Sequence, residues 1–208
     1  MRTNSEIKNI AYQALQGKWA IFALITFVYM FLIYIGSSIS FLIDNNIPNY
    51  LWMILTLPLG WGIMVIFLRN LRKEKKIQIE NLFDGYKDFV RISGTGFLMV
   101  IYIFLWSLLL VIPGIVKVYS YLLTYFILKD NPQLSMNAAI ERSMAMMKGH
   151  KKQAFLLTLS FIGWLMLAIL TCGIGLLFLI PYIYSSFAAL YEDIKDSCEN
   201  EFRDTDMA

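Results

Sequence analysis

A chain of 208 residues that is 58% hydrophobic and only 16% charged, with a mean hydropathy of +0.59, lies outside the composition of soluble domains. Those are about half apolar and about a quarter charged, so a water-soluble enzyme is excluded and a bilayer is the expected solvent. The net charge of +3 is small, and its basic residues sit between apolar runs, which membrane orientation explains better than nucleic-acid binding.

The chain opens with Thr3 and Glu6 at capping-box spacing, followed by Ile7, Ile10, Ala11, Ala14 and Leu15 on one helical face. This predicts an amphipathic helix at the membrane interface. Trp19 to Ile43 carries no charge and is long enough to cross a hydrocarbon core of about 30 Å. It is too long for the apolar core of a cleaved signal peptide, so it is expected to stay as an anchor. The polar turn at residues 44–49 leads into a second uncharged run, Tyr50 to Leu68.

Arg69, Arg72, Lys73, Lys75, Lys76, Lys87 and Arg91 follow, interleaved with Ile79, Leu82, Phe83, Tyr86, Phe89 and Val90 at helical spacing. The apolar stretch from Gly94 to Leu128 is too long for one span and marginal for two. Basic segments flank it on both sides and belong in the cytoplasm, so an even number of crossings is required. Two crossings, 94–112 and 114–128, with a turn at Pro113 and Gly114 fit best; a re-entrant segment is the alternative. A third amphipathic stretch, with Met136, Ile140, Met144 and Met147 on one face, precedes the last pair, 153–172 and 175–191.

The expected fold is therefore all-α: a transmembrane bundle of about six spans in three hairpins, 19–43 with 50–68 as the first, each preceded by an interfacial amphipathic helix. Residues 1–191 form one membrane domain and 192–208 an acidic cytoplasmic tail. Both termini are cytoplasmic. The amphipathic helices serve either as simple interfacial braces or as contacts for anionic headgroups through Arg72, Lys73, Lys75, Lys76, Lys148, Lys151 and Lys152.

Several residues carry a family resemblance: Pro113, Gly114, Lys117, Tyr119 and Tyr121; Ser143, Met147, Lys148 and Gly149; Phe161, Gly163 and Trp164; Pro181, Tyr182 and Tyr191. Together they resemble the bacterial integral-membrane family known as a domain of unknown function, numbered nine-seven-five, which is distantly similar to the membrane region of some glycerophosphodiester phosphodiesterases. The resemblance implies a polytopic protein of the bacterial inner membrane and supplies no activity and no catalytic residues.

The chemistry in the sequence is sparse. No phosphate-binding glycine loop, nucleophile elbow or HExxH occurs, Cys172 and Cys198 form no spaced pair, and His150 has no second ligand near it. An enzyme, a cofactor and a metal are not expected. Polarity inside the spans remains: Lys117, Ser120, Tyr121 and Thr124 make a stripe on the fourth span, and Tyr182 and Ser185 face it from the sixth. One reading is a ligand site in which Lys117 binds a lipid phosphate or a carboxylate, as part of a binding or transport module. The other is interhelical hydrogen bonding, with Lys117 snorkelling to the interface or pairing with Asp44, in a scaffold protein that works through its cytoplasmic helices.

Overall fold

The computed structural model describes residues 1–42, 47–74 and 77–206, and within them only helices and turns occur. Thr3 caps α1 (Asn4–Leu15), accepting from the Glu6 N–H while the Glu6 carboxylate accepts from the Thr3 N–H at 2.6 Å. That is the expected capping box, and Ile7, Ala11 and Leu15 are buried on the expected face. A bend of 96° separates α1 from α2 (Trp19–Leu42), so the first amphipathic helix lies across the apolar one. Helix α3 (Ile47–Leu71) packs back along α2, with Phe22 and Phe67 in ring contact at 5.1 Å.

The second amphipathic stretch departs from the expected helix. It is a 3₁₀ helix, Ile79–Asp88, and only Leu82 of its apolar set is buried, while Phe83, Tyr86 and Val90 are exposed. At 3.0 residues per turn, residues spaced for an α-helical face no longer align. The segment is fastened to α3 by backbone proximity: Gly62 lies directly against the Leu82 carbonyl. Pro58 has no N–H for the preceding turn of α3, and nearby the Tyr86 hydroxyl donates to the Leu55 carbonyl at 2.6 Å.

Helices α4 (Phe89–Leu109) and α5 (Val111–Ser120) form a hairpin, but its break lies at Leu110, whose φ of −163° and ψ of 143° are extended. Pro113 is already in the first turn of α5, where a missing N–H costs nothing. Gly114 instead allows α5 to approach α4, because a Cβ there would meet the Ser107 side chain. The chain continues through a short turn into α6 (Thr124–Asp130), then folds back as α7 (Met136–Met146). Ser135 caps α7, and of the expected stripe Ile140 and Met147 are buried while Met136 and Met144 are half-buried, with Ala139 buried beside them. Helices α8 (Lys151–Leu159) and α9 (Ile162–Leu170) lead to a tight turn and to α10 (Leu176–Asp206).

Four stretches are long and apolar enough to cross a membrane: Leu51–Leu71, Ile79–Leu109, Val111–Asp130 and Lys151–Leu170. The bent pair Asn4–Leu15 and Trp19–Ile35 makes a fifth. The sixth expected span, 175–191, falls on α10 apart from Gly175 in the preceding turn, and α10 does not stop at Tyr191. Asp193 and Ile194 are buried, so the first turn expected in a solvated tail is packed instead. Asp193 accepts from the Arg2 backbone N–H at 3.0 Å, tying the N-terminus to this helix.

The turn between α5 and α6 has no proline or glycine, and its cause is tertiary. The Ser143 hydroxyl of α7 donates to the Ser120 carbonyl at 2.8 Å, taking the acceptor that the Thr124 N–H would use in a continuous helix. Thr124 N–H bonds to Tyr121 O instead, at 3.1 Å. Ser143→Ala leaves this buried carbonyl without its side-chain donor and is expected to cost about 1–2 kcal/mol in detergent unfolding titrations. A cost below that of Ser135→Ala, which removes only an exposed cap, would contradict this account of the turn.

Candidate functional site

Lys117 lies on α5 opposite α7 and the end of α4. Its Nζ stands 4.7 Å from the centroid of the Trp106 ring, 5.8 Å from that of Tyr121 and 3.6 Å from the sulfur of Met144. Two aromatic faces thus hold the ammonium electrostatically, and the thioether is only a weak acceptor. Among the described residues no carboxylate lies within ion-pair distance of it. Asp44, the partner in one of the readings of Lys117, lies outside the described residues. Around the ammonium is a cleft of ≈ 300 Å³, walled by Tyr102, Trp106, Tyr121, Asn137, Glu141 and Met144. Asn137 accepts from the Tyr102 hydroxyl at 3.2 Å, which leaves its amide nitrogen free of that bond.

The expected polar stripe is split rather than assembled. Lys117 and Tyr121 face the cleft, whereas Ser120 on the same helix is buried, and Thr124, beyond the turn at residues 121–123 that changes the helical phase, is buried too. Ser120 donates to the Val116 carbonyl at 2.9 Å; the hydroxyls of Thr124 and Ser185 are buried without a hydrogen-bond partner. Tyr182 lines two other cavities, beside α1, and not the Lys117 cleft. The partners of Lys117 therefore come from α4 and α7, with none of the expected sixth-span residues in the cleft wall.

The cations expected to face anionic lipid also divide. Lys73, Lys148 and Lys152 are exposed and Lys151 is half-buried, whereas Lys75 and Lys76 lie outside the described residues. Arg72 is committed elsewhere. Its guanidinium grips Asp130 with two bonds of 2.6 and 2.7 Å and also donates to Glu192 at 2.6 and 3.0 Å. Hydrogen bonding to Asp130 raises the Arg72 pKa further above its ordinary value. Asp130 also accepts from the Tyr191 hydroxyl and from Lys195, each at 2.9 Å. This knot joins the end of α6 to the stretch just past α3 and to α10. Sequence reading missed it because its members are separated by 58 to 120 positions.

Among the described residues no group of three or more His, Cys, Asp or Glu is placed to hold a metal ion. A family model described as Protein of unknown function (DUF975) matches residues 1–121 and 108–197. No curated protein and no solved structure gives a significant match.

Proposed function

The chain belongs to the family described as Protein of unknown function (DUF975), and from that premise we propose a non-catalytic membrane module that binds an anionic group at Lys117. The observation that carries this reading is an ammonium held between two aromatic rings, without a carboxylate partner, in a cleft large enough for a small ligand. A lysine has three donors, and the rings use none of them in a conventional hydrogen bond. A phosphate or carboxylate entering the cleft takes those donors, with Asn137 beside it and Glu141 favouring a ligand that also carries an amine or hydroxyl.

The module sits in the bacterial inner membrane with its basic segments and both termini in the cytoplasm, where Lys73, Lys148, Lys151 and Lys152 meet anionic headgroups. The clustering of cations between apolar stretches supports this orientation. The alternative, a scaffold acting through its amphipathic segments, draws support from Phe83, Tyr86 and Val90, apolar side chains left exposed by the protein itself and so available to a partner.

Titration of the full chain in neutral detergent with inorganic phosphate, and in parallel with a short-chain phosphatidic acid, tests the ligand reading through the part of the tryptophan fluorescence change that is lost in Trp106→Phe. At least one probe is expected to bind, and Lys117→Met is expected to weaken it about tenfold or more, the equivalent of about 1.4 kcal/mol. Binding of the lipid alone assigns the anion to a headgroup, and binding of both assigns it to phosphate as such. No binding of either, or unchanged binding in Lys117→Met, overturns the reading.

A further inference from the structure

We propose that the groove between α1, α9 and α10 holds one phospholipid, with an acyl chain in an apolar chamber and the phosphate at Lys8. The chamber measures ≈ 400 Å³, within the range of about 300–1,000 Å³ typical of ligand pockets. Ala168 and Leu179 form its buried floor, while Trp164, Leu167 and Phe178 are about half exposed on its walls, so it is open at the side. Thr171 adds a hydroxyl to the lining, but that group is already bonded to the Ala168 carbonyl at 2.8 Å and to the Gly175 N–H at 2.9 Å. An alkyl chain satisfies such a wall, whereas a polar ligand leaves its own groups unpaired there.

The chamber has a polar neighbour. Tyr12 and Tyr182 line both it and a second, polar cavity of ≈ 390 Å³, whose other walls are Ser5, Glu6, Lys8 and Asn9. These last residues belong to the solvent-facing side of α1, the helix bent 96° away from α2. The adjacent cavities therefore place a polar helix surface beside an apolar recess, the same order in which a phospholipid presents headgroup and chain. The residues common to both cavities are aromatic, Tyr12 and Tyr182, and the Tyr182 ring is held edge to face by the buried Phe161 at 5.3 Å. Aromatic rings of this kind favour the boundary between headgroups and hydrocarbon.

The charges at the mouth select an anion. Lys8 lies over the Phe161 ring at 5.9 Å, and among the described residues no carboxylate is within ion-pair distance of it. Glu6 is the one acid in the cavity wall, and its carboxylate is occupied in the cap, accepting from the Thr3 N–H and hydroxyl at 2.6 and 2.9 Å. An available ammonium therefore stands above the chamber, with Ser5 and Asn9 beside it. The site is separate from the Lys117 cleft and shares none of its residues.

Native mass spectrometry of the full chain in neutral detergent, titrated with dioleoyl phosphatidylglycerol, tests the assignment. One tightly held lipid is expected. Lys8→Gln is expected to weaken it about fivefold, from the loss of about 1 kcal/mol of headgroup attraction. Leu167→Trp, which crowds the chamber from an exposed position, is expected to abolish retention while helix content by circular dichroism stays unchanged. Lys117→Met is expected to leave this adduct intact, so the two sites succeed or fail separately. Equal retention in Lys8→Gln and Leu167→Trp overturns the proposal, as does binding of glycerol phosphate without an acyl chain at comparable strength.

Discussion

Asp130→Asn is expected to destabilise the protein by about 2–3 kcal/mol, measured as the shift of a reversible dodecyl-sulfate unfolding titration in mixed micelles. Removing one member of a buried pair costs about 3–5 kcal/mol, because the remaining charge is left uncompensated; partial solvent access at this site reduces that figure. The Asp130 side chain is 10% exposed and that of Arg72 is 22% exposed. Asparagine keeps the shape but offers Arg72 one neutral oxygen in place of a bidentate carboxylate, and it brings an NH₂ group toward cationic donors. Glu192→Gln should cost less, since Arg72 then retains Asp130. Lys195→Met should cost less than 1 kcal/mol, as an outer partner that water readily replaces. The double change Asp130→Asn with Arg72→Met is expected to lose less than the two single changes together. If Asp130→Asn costs no more than Lys195→Met, this knot does not hold the helix ends.

The same knot shows what the sequence does and does not disclose. Local spacing exposes local structure: Thr3 and Glu6 announce the start of α1, and Ile7, Ala11 and Leu15 announce its buried face. The four to five apolar stretches are visible because hydrocarbon burial needs a continuous run of side chains. Arg72, Asp130 and Glu192 carry no such signal. Each reads alone as a charge at the end of an apolar segment, where topology already requires charge, and only the packed helix ends bring them together.

The Lys117 site was legible in part for a related reason. The lysine and Tyr121 are four residues apart, and a continuous helix puts them on one face. They do share a cleft, yet the stripe beyond them fails because Ser143 takes the Ser120 carbonyl out of the helical ladder. Tyr121, Leu122 and Leu123 have nothing in their own chemistry that ends a helix. The interruption comes from a side chain 23 positions later, and with it the residues across the cleft change from Tyr182 and Ser185 to Asn137, Glu141 and Met144.

Glycines in the third helix give the last and most discriminating expectation. Gly60 and Gly62 lie two and four residues past Pro58, and both lower the helix propensity of the same segment. In the structure their surroundings are opposite. A Cβ on Gly60 meets nothing within 4 Å, whereas one on Gly62 meets the backbone of Leu82, with its carbonyl carbon at 2.9 Å and its Cα at 3.2 Å. Backbone does not give way as a flexible side chain does, so Gly62→Ala must push away the 3₁₀ segment. That movement also strains the Tyr86 bond to the Leu55 carbonyl and the ion pair of Arg69 with Asp84. Gly62→Ala is expected to cost about 3 kcal/mol, at the upper end of ordinary overpacking. Gly60→Ala is expected to be neutral or to gain as much as about 1 kcal/mol from helix propensity. Both are measured by the same unfolding titration, and similar values for the two would show that the 3₁₀ segment does not rest on α3 at this point.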